Sequence, residues 1–574
     1  MTVTATVASP GDVPATAASD TAPARVPPTR RFALLVLAAV LVGLALRVAI
    51  GLTDDAPATD ETAYLRSGVS LVEGDGFARE GRPELHFPPL VPFLLGLASR
   101  VVDDPHTGTV ILTCLASTAL IVPLALLGRR VAGPGAGVAT AWIAALAPGL
   151  STSLVNRGAG SEAEYLLLVV SAVWLVVSAA DHRGRRRVVR ASGAGLLVGL
   201  AYLTRPEGLF IAVPLGLAVL ALARRGVGDR RRRLTSTAGL AAAFAVPIVA
   251  CIVPYAAYLH RHTGQWQLSA KTQDASIEAW HAVARADREA RDSVLYELDE
   301  TGLAFAADRT SLTRLARDDP SGYFGIVGTN ISSLGGAIVD PETGRVLSWL
   351  LLPLPVWLLA VYGAWRHRRS RTVVLVLAVG ALPVATALAF FVQPRYLMLT
   401  VALATVPAGA GLVSLRGRWR GPAAAGVLAL LVLSTVQGFR GPGGWWHPSD
   451  HSDQRAAGEW IAANTDPDDR VMSRSMVVEY YAERPTMAIP YAEINEILAY
   501  GRHYGARYIV VDWYTVRRLR PQLAPLREDE DGVPGLELVY KVREEGRTTQ
   551  VFALDRVPLV PDTIGPPLGF VGDG

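Results

Sequence analysis

The sequence predicts a polytopic α-helical membrane protein with a small α/β domain at its C-terminal end. Three observations lead to this fold class. Hydrophobic residues make up 51% of the 574 residues, and the mean hydropathy is positive, at +0.30. Long apolar runs recur along most of the chain and are separated by clusters of arginine. After residue 440 the pattern changes to short β-rich and helical segments, which are typical of a folded domain outside the membrane.

Eleven apolar runs are candidates for membrane spans. At about 1.5 Å per residue, a helix of about 20 residues crosses the hydrocarbon core, and the shorter runs can borrow flanking residues. We therefore predict about eleven transmembrane helices within a membrane domain of residues 30–440. The runs lie at 32–52, 109–128, 136–150, 163–180, 191–204, 208–223, 237–259, 346–364, 372–392, 396–415 and 422–438.

The arginine clusters predict how these spans are oriented. One cluster precedes the first run, and others follow the second, fourth, sixth, eighth and tenth runs. Basic connections favour the cytoplasm, so the N-terminus is predicted to be cytoplasmic and the acidic connections to lie outside the plasma membrane. The two longest external loops are then 53–108 and 260–345. Residues 1–29 are rich in Ala, Thr, Pro, Ser and Val without periodicity, which predicts a disordered cytoplasmic tail.

Residues 441–574 are predicted to form an extracytoplasmic α/β domain. Its β-rich runs are 470–472, 508–511, 536–542 and 550–554, and they alternate with helical patterns at 452–464, 491–504 and 514–523. It has no Gly-rich phosphate loop, and no nucleic-acid partner is predicted. The two cysteines, Cys114 and Cys251, lie inside apolar runs, so neither a disulfide nor a metal-binding framework is implied. His447, His451, Asp450 and Asp453 have a spacing that fits no recognised metal site.

An adjacent acidic pair, Asp60 and Glu61, follows the first apolar run, with Asp54 and Asp55 a few residues upstream. Ionisable groups near the hydrocarbon cost roughly 2.5–3.5 kcal/mol at the centre of a span and usually mark a functional cavity. A simpler interpretation is that the pair caps a helix starting near Thr62, because acidic residues favour the first turn. We give the functional interpretation more weight because charged residues also stand at several other predicted external span ends.

Four elements, taken together, resemble the GT-C glycosyltransferases of the protein O-mannosyltransferase and aminoarabinose-transferase type. The resemblance covers residues 32 to about 440, and all four elements fall on the predicted outer face. They are Asp60-Glu61 followed by Tyr64; His86-Phe87-Pro88-Pro89-Leu90, like the segment that opens a helix along the membrane; Arg157 with Glu162; and Thr204-Arg205-Pro206-Glu207-Gly208 with Gln393-Pro394-Arg395-Tyr396.

The resemblance implies a membrane enzyme that takes a sugar from a polyprenyl (or dolichyl) phosphate carrier among the membrane lipids. The acceptor is a hydroxyl outside the cell, on a protein, a glycan or a lipid. Such a transfer needs a base to accept the proton of the hydroxyl, and a carboxylate can do this. The phosphate leaving group needs positive charge, and the paired donors of arginine suit it. The family pattern implies no certain cofactor, and use of a divalent cation varies across the fold.

Asp60 is the first candidate for the general base, with Asp55 as an alternative. Glu61 is expected to shape the site or bind the acceptor, and Glu162 to orient the acceptor or a cation, unless it only caps a helix. Candidates for binding the donor phosphate are Arg395 beside Tyr396, then Arg205 and Arg157, although arginines at span ends also extend to lipid head groups.

Tyr64 and His86 complete the predicted substrate-binding set. The residue after His86 departs from the aminoarabinose-transferase branch. That branch has a lysine immediately before the two prolines, and this sequence has Phe87 there. A basic stretch that includes Lys271 lies in the second long external loop and could serve substrate or head groups equally well.

Two other functions fit the sequence less well. A lipid-linked sugar transporter would require an internal repeat or polar residues near span midpoints, and the main charge inside a span, Arg47, is expected to reach the outer surface. A glycan polymerase or ligase remains the alternative within the enzyme class.

Overall fold

The computed structural model describes residues 28–52, 57, 59–79, 81–155, 161–224, 230–283, 287–299, 302–305, 311–336, 352–440, 451–528, 533–544 and 546–554. Asp55, Arg157, His447 and Asp450 of the predicted or considered sites lie outside these residues.

The described part of the membrane domain is helical almost throughout. Its helices are α1 (Pro28–Gly51), α2 (Thr59–Glu73), α3 (Leu90–Ala98), α4 (Pro105–Ala119), α5 (Ile121–Ala132), α6 (Pro134–Leu146), α7 (Pro148–Val155), α8 (Glu162–Ala179), α9 (Gly184–Thr204), α10 (Ala212–Ala223), α11 (Arg230–Thr263), α12 (Lys271–Ile277), α13 (Arg288–Leu295), α14 (Leu312–Asp318), α15 (Pro320–Gly336), α16 (Leu354–Arg366), α17 (Arg371–Ala389), α18 (Met398–Ser414) and α19 (Gly417–Arg440). Short 3-10 helices at Pro206–Ile211 and Pro394–Leu397 precede α10 and α18.

Eight helical segments of the described residues are long and apolar enough to cross a membrane, which confirms the polytopic fold class. They are Thr29–Gly51, Pro105–Ala132, Glu162–Ala179, Pro206–Ala223, Thr235–Thr263, Arg371–Ala389, Arg395–Ser414 and Gly417–Val436. The other three predicted spans correspond to α6, α9 and α16. These are helices as well, but α6 and α16 have 13 residues each and α9 begins within an arginine cluster.

The connection after α1 positions the acidic pair. It contains α2, the two-residue hairpin strands β1 (Ala78–Arg79) and β2 (Arg82–Pro83), and α3. α3 begins directly after Pro89, where the sequence predicts that a helix opens after the two prolines. Helices α2 and α3 cross at Gly68 and Gly96. A Cβ on Gly68 would lie 2.1 Å from the carbonyl oxygen of Pro92, so the close crossing that fixes α2 depends on glycine.

Arg47 is fully buried and does not reach the outer surface, so this expectation from the sequence is wrong. Its guanidinium donates to the carbonyls of Ala144, Ala145 and Leu150 at 3.4, 3.1 and 2.7 Å. These carbonyls surround the break between α6 and α7, where Pro148 lacks the N–H that would pair with Ala144. A buried arginine therefore satisfies the acceptors that the helix break leaves open.

We expect Arg47→Met to destabilise the protein by at least about 3 kcal/mol, because buried carbonyls without donors each cost about 1–3 kcal/mol. The midpoint of thermal unfolding in detergent measures this loss. Arg369→Met, which removes an exposed arginine, is the matched control and should leave the midpoint unchanged. Equal midpoints for the two variants would contradict the capping role of Arg47.

The second long connection folds over the ends of the membrane helices. It contains α12, a π-helical turn at Glu278–Val283, α13, a hairpin of β3 (Tyr296–Asp299) and β4 (Gly302–Phe305), α14 and α15. Only seven residues, 264–270, separate the end of α11 from the start of α12, so the chain turns back at once over the bundle.

The C-terminal part forms the predicted small α/β domain around a five-stranded mixed sheet. Its strands are β5 (Arg470–Ser473), β6 (Thr486–Ala488), β7 (Ala506–Asp512), β8 (Leu536–Glu544) and β9 (Arg547–Leu554), in the order β6-β5-β7-β9-β8. β5, β6 and β7 are parallel, and β9 is antiparallel to β7 and β8. The helices are α20 (Ser452–Asn464), α21 (Met476–Ala482), α22 (Ile494–His503) and α23 (Pro525–Glu528).

Candidate active site

Asp60 and Arg395, 335 residues apart in the sequence, form an ion pair. Asp60 lies in the first turn of α2, and Nη1 of Arg395 donates to its carboxylate at 3.0 Å. Nε of Arg395 donates to the side-chain oxygen of Gln393 at 3.0 Å. The side chains of Asp60 and Arg395 are 22% and 27% exposed, so both remain accessible to a small ligand. Asp60 thus does more than occupy a helix start.

Arg205 is the centre of a second cluster beside this ion pair. Its guanidinium donates to Glu162 at 2.6 Å, to the hydroxyl of Ser161 at 3.3 Å and to Glu207 at 3.4 Å. The hydroxyl of Tyr64 also lies 3.4 Å from that of Ser161, which joins α2 to the cluster. Three separate connections therefore converge here.

The ring of Tyr396 links the two arginines. The guanidinium carbons of Arg205 and Arg395 lie 5.5 and 5.4 Å from its centroid, within the range of a cation–π interaction. An aromatic face that stabilises two like charges lets them stay close together, which favours a ligand with more than one negative oxygen.

Lys271 supplies a third cation, at the start of α12. Its ammonium nitrogen lies 4.7 Å from the ring centroid of Phe87, the residue that stands where the resembling enzymes have a lysine. A positive charge therefore lies beside Phe87, and Lys271 supplies it from a different connection. Sequence reasoning left its role open because the nearby His260, Arg261 and His262 made it one of several solvent-facing candidates.

His86 hydrogen-bonds through Nδ1 to the buried carboxylate of Asp274, one turn after Lys271 on α12. His86 and Phe87 are further fixed by their backbone N–H groups, which donate to Glu84 at 2.8 and 3.1 Å. Sequence reasoning missed Asp274 and Glu84, because neither stands at a span end. Their effect is to hold the segment before the two prolines against α12.

A cavity of about 1030 Å³, including its open mouth, adjoins these groups. Arg205, Lys271 and Arg395 line it together with the carboxylates of Glu162 and Glu207, and the rest of the wall is mostly apolar. The apolar lining includes Leu166, Phe210, Ile211, Leu382, Pro383, Ala387, Phe390, Phe391, Met398 and Leu399. One region of the cavity thus attracts anions and the remainder suits hydrocarbon.

The charges around Asp60 keep it ionised. Burial alone would raise the pKa of Asp60, but Arg395 and Lys271, together with the hydrogen bond from Arg395, lower it to about 2. Burial lowers the pKa of Lys271 below its ordinary value, because attraction to Asp60 offsets the loss of solvent only partly and Arg205 and Arg395 repel its charge. An anion that joined the three cations would relieve this repulsion.

The structure brings together Asp60, Tyr64, His86, Arg205, Arg395, Tyr396 and Glu162 of the predicted site residues. Glu61 points elsewhere. It is fully buried and its carboxylate pairs with Nδ1 of His106 at 2.7 Å, at the start of α4. Since no predicted pattern included His106, this partner was missed. The buried pair of Glu61 and His106 fixes the first turn of α2, next to Asp60. The role of Glu61 is therefore structural.

Within the described residues, no group of three or more His, Cys, Asp or Glu side chains could hold a metal ion. Glu164 has both carboxylate oxygens buried without a hydrogen bond, but it has no second and third ligand beside it in this part of the chain.

Comparison with known proteins shows what this site and fold resemble. Residues 86–255 match the family model of the dolichyl-phosphate-mannose-protein mannosyltransferases. No curated protein matches the chain in sequence.

Solved structures with a similar fold include those of two membrane proteins. The archaeal oligosaccharyltransferase AglB from Archaeoglobus fulgidus, in complex with an inhibitory peptide and a dolichol-phosphate, superimposes with a TM-score of 0.53 at 15% identity, covering 85% of this chain and 70% of that one. Its complex with Zn and sulfate gives 0.54 at 16% identity, covering 84% and 68%. ArnT from Cupriavidus metallidurans, bound to undecaprenyl phosphate, gives 0.51 at 14% identity, covering 91% and 98%.

The family match and the shared fold confirm the resemblance to GT-C glycosyltransferases of the protein O-mannosyltransferase and aminoarabinose-transferase type. They indicate that the protein is a multi-pass membrane glycosyltransferase.

Proposed function

We propose that the protein transfers a sugar from a polyprenyl-phosphate carrier to an acceptor hydroxyl outside the plasma membrane. One observation carries the proposal: a single cavity combines Arg205, Lys271 and Arg395 with a long apolar wall, and Arg395 also holds Asp60. An amphiphile with an anionic head and a hydrocarbon tail matches both regions of that cavity.

In this mechanism the donor phosphate binds among the three cations. The acceptor oxygen attacks the anomeric carbon, the bond from that carbon to the phosphate oxygen breaks, and the electron pair leaves with the polyprenyl phosphate. Asp60 accepts the proton of the acceptor hydroxyl. Negative charge near the anomeric carbon also stabilises the oxocarbenium-like transition state. A single displacement of this kind inverts the anomeric centre.

The donor also changes the basicity of Asp60. Arg395 binds Asp60 at 3.0 Å, and a phosphate that takes up the guanidinium donors weakens that ion pair. Arg395 and Lys271 hold the pKa of Asp60 at about 2, although burial alone would raise it. When the phosphate engages Arg395, this pKa rises toward the range in which a carboxylate accepts protons well. Carrier binding and proton acceptance are thereby coupled.

The outer location rests on the distribution of arginine. The connections that carry Asp60, Glu162, Arg205, Lys271 and Arg395 alternate with the arginine-rich ones, and the latter favour the cytoplasm. The acceptor hydroxyl, on a protein, a glycan or a lipid, is then also outside the cell. AglB and ArnT, which were solved with a dolichol-phosphate and with undecaprenyl phosphate, support a lipid phosphate as the carrier.

Binding of undecaprenyl phosphate to the purified protein in detergent tests the donor site. We expect undecaprenyl phosphate to bind and undecaprenol, which lacks the phosphate, to bind at least tenfold more weakly. Lys271→Met should raise the Kd for undecaprenyl phosphate about tenfold, because it removes one of the three cations that line the cavity. Lys541→Met is the matched control, since Lys541 is exposed on β8. Equal affinity for the two lipids would contradict the proposed function.

The lowered pKa of Lys271 predicts a pH dependence. Lysine is charged below its pKa, so affinity for undecaprenyl phosphate should decline as the pH rises through a value below the ordinary 10.5 of lysine. Lys271→Arg keeps its charge at all accessible pH values and should remove this decline. Kd values measured across an alkaline series provide the test, and a decline that persists in Lys271→Arg would exclude Lys271 as its source.

A further inference from the structure

We infer that the C-terminal domain positions the donor site, by holding the α12 helix that carries Lys271 through a chain of ion pairs. The inference rests on the proposed function, because it assigns Lys271 to the donor phosphate. It gives the C-terminal domain a defined role in the reaction rather than a separate activity.

The chain of ion pairs begins directly after α12. Glu278 accepts from Nε of Arg291 at 2.5 Å, and Nη1 of Arg291 donates to Asp292 at 2.6 Å. The other carboxylate oxygen of Asp292 accepts from Nη2 of Arg520 at 2.5 Å. Arg520 belongs to the C-terminal domain, so a continuous path of charged contacts links that domain to the end of α12.

The last contact of this chain is the most deeply buried. Arg520 and Asp292 are 1% and 5% exposed. Arg520 is held inside its own domain by the carbonyls of Ile489 and Leu519, at 3.0 and 2.8 Å. Removing one member of such a pair leaves an uncompensated buried charge, so the loop and the domain are expected to hold a single relative position.

The hairpin of β3 and β4 attaches the connection after α11 to the C-terminal domain a second time. The backbone N–H of Leu303 donates to the hydroxyl of Tyr500 at 2.9 Å, and Arg474 donates to the hydroxyl of Tyr296 at 3.2 Å. Leu298 and Leu303 also pack against the apolar core of the C-terminal domain. The loop is therefore fixed to the domain by polar and apolar contacts together.

The domain reaches the other side of the site as well. Nη2 of Arg66, on α2, donates to the backbone carbonyl of Glu479, and Met476 and Tyr480 pack against the cluster of Tyr64 and Phe87. α2 carries Asp60 and α12 carries Lys271. The C-terminal domain therefore contacts both connections whose charges must meet at the donor.

The test measures the Kd for undecaprenyl phosphate of the full-length protein. Asp292→Asn should raise this Kd at least threefold, because it releases α12 from the domain. Arg291→Gln interrupts the same chain but leaves Asp292 paired with Arg520, and it should act in the same direction if Asp292→Asn fails to fold. Arg484→Gln is the matched control. Arg484 bonds only within the domain in the contacts described, to the carbonyls of Ala462 and Thr465 at 2.7 Å, and its loss should lower the thermal midpoint without changing the Kd.

A double-mutant comparison separates positioning from general destabilisation. In a Lys271→Met background, Asp292→Asn should have no further effect, because its influence passes through Lys271. An unchanged Kd in folded Asp292→Asn and Arg291→Gln, or an equal effect of Asp292→Asn with and without Lys271, would overturn the inference. If Lys271→Met alone leaves the Kd unchanged, the donor site itself is wrong; if Lys271→Met weakens binding and the chain variants do not, only the positioning role falls.

Discussion

Asp60→Asn is expected to lower sugar transfer by at least about a hundredfold, because general bases contribute roughly 10²–10⁴ to rates and asparagine cannot accept the proton. The variant should remain folded, since the amide has the size of the carboxylate. Its affinity for undecaprenyl phosphate should be unchanged or higher, because Arg395 no longer has Asp60 as a competing partner.

Mass spectrometry of cell-envelope glycans, glycoproteins and lipids in a deletion strain provides the measurement. The sugar missing from that strain names the transferred group and its acceptor, and complementation then reports activity. Asp103→Asn, an exposed change in the same connection, should restore the sugar fully. If Asp60→Asn restored it equally at equal expression, Asp60 would not be the base.

Arg395→Gln should have the second large effect, because Arg395 contacts Asp60 and lines the cavity for the donor phosphate. We expect the Kd for undecaprenyl phosphate to rise at least tenfold. Loss of the guanidinium also removes the largest influence that lowers the pKa of Asp60, so that pKa should rise from about 2. Asp60 then becomes protonated at a higher pH than before.

The acid limb of transfer activity should accordingly move to higher pH in Arg395→Gln. Transfer measured in isolated membranes across an acidic series tests this shift. Arg371→Gln, an exposed change at the opposite end of α17 from the Arg395 connection, should leave both the Kd and the acid limb unchanged. An acid limb that stays in place in Arg395→Gln would show that Arg395 does not control the protonation of Asp60.

The parts of the fold that follow from local pattern were predictable. Apolar runs of sufficient length gave the membrane helices, and alternating short patterns gave four of the five strands of the C-terminal sheet. β6, with only Thr486–Ala488, was missed because three residues carry no measurable periodicity. Its place in the sheet is set by pairing with β5, which is a tertiary effect.

The candidate site was predictable where charges stand at the ends of apolar runs, as Asp60, Arg205 and Arg395 do. Pairings between such residues depend on which helix ends adjoin in the bundle, and no single sequence encodes that in a local pattern. The environment of Arg47 could not be predicted for the same reason. Its surroundings in sequence suggested a route to the surface, whereas the acceptors that hold it come from a helix break about a hundred residues later.

The chain contains only two lysines, and one of them, Lys271, lines the cavity while the other, Lys541, is exposed on the sheet. Amine-selective reagents thus have two targets besides the N-terminus, and a Lys541→Arg background leaves one. Protection of Lys271 from such a reagent by a bound lipid would report occupancy of the pocket directly. Such a labelling assay needs no knowledge of the sugar and suits screening for inhibitors that displace the lipid.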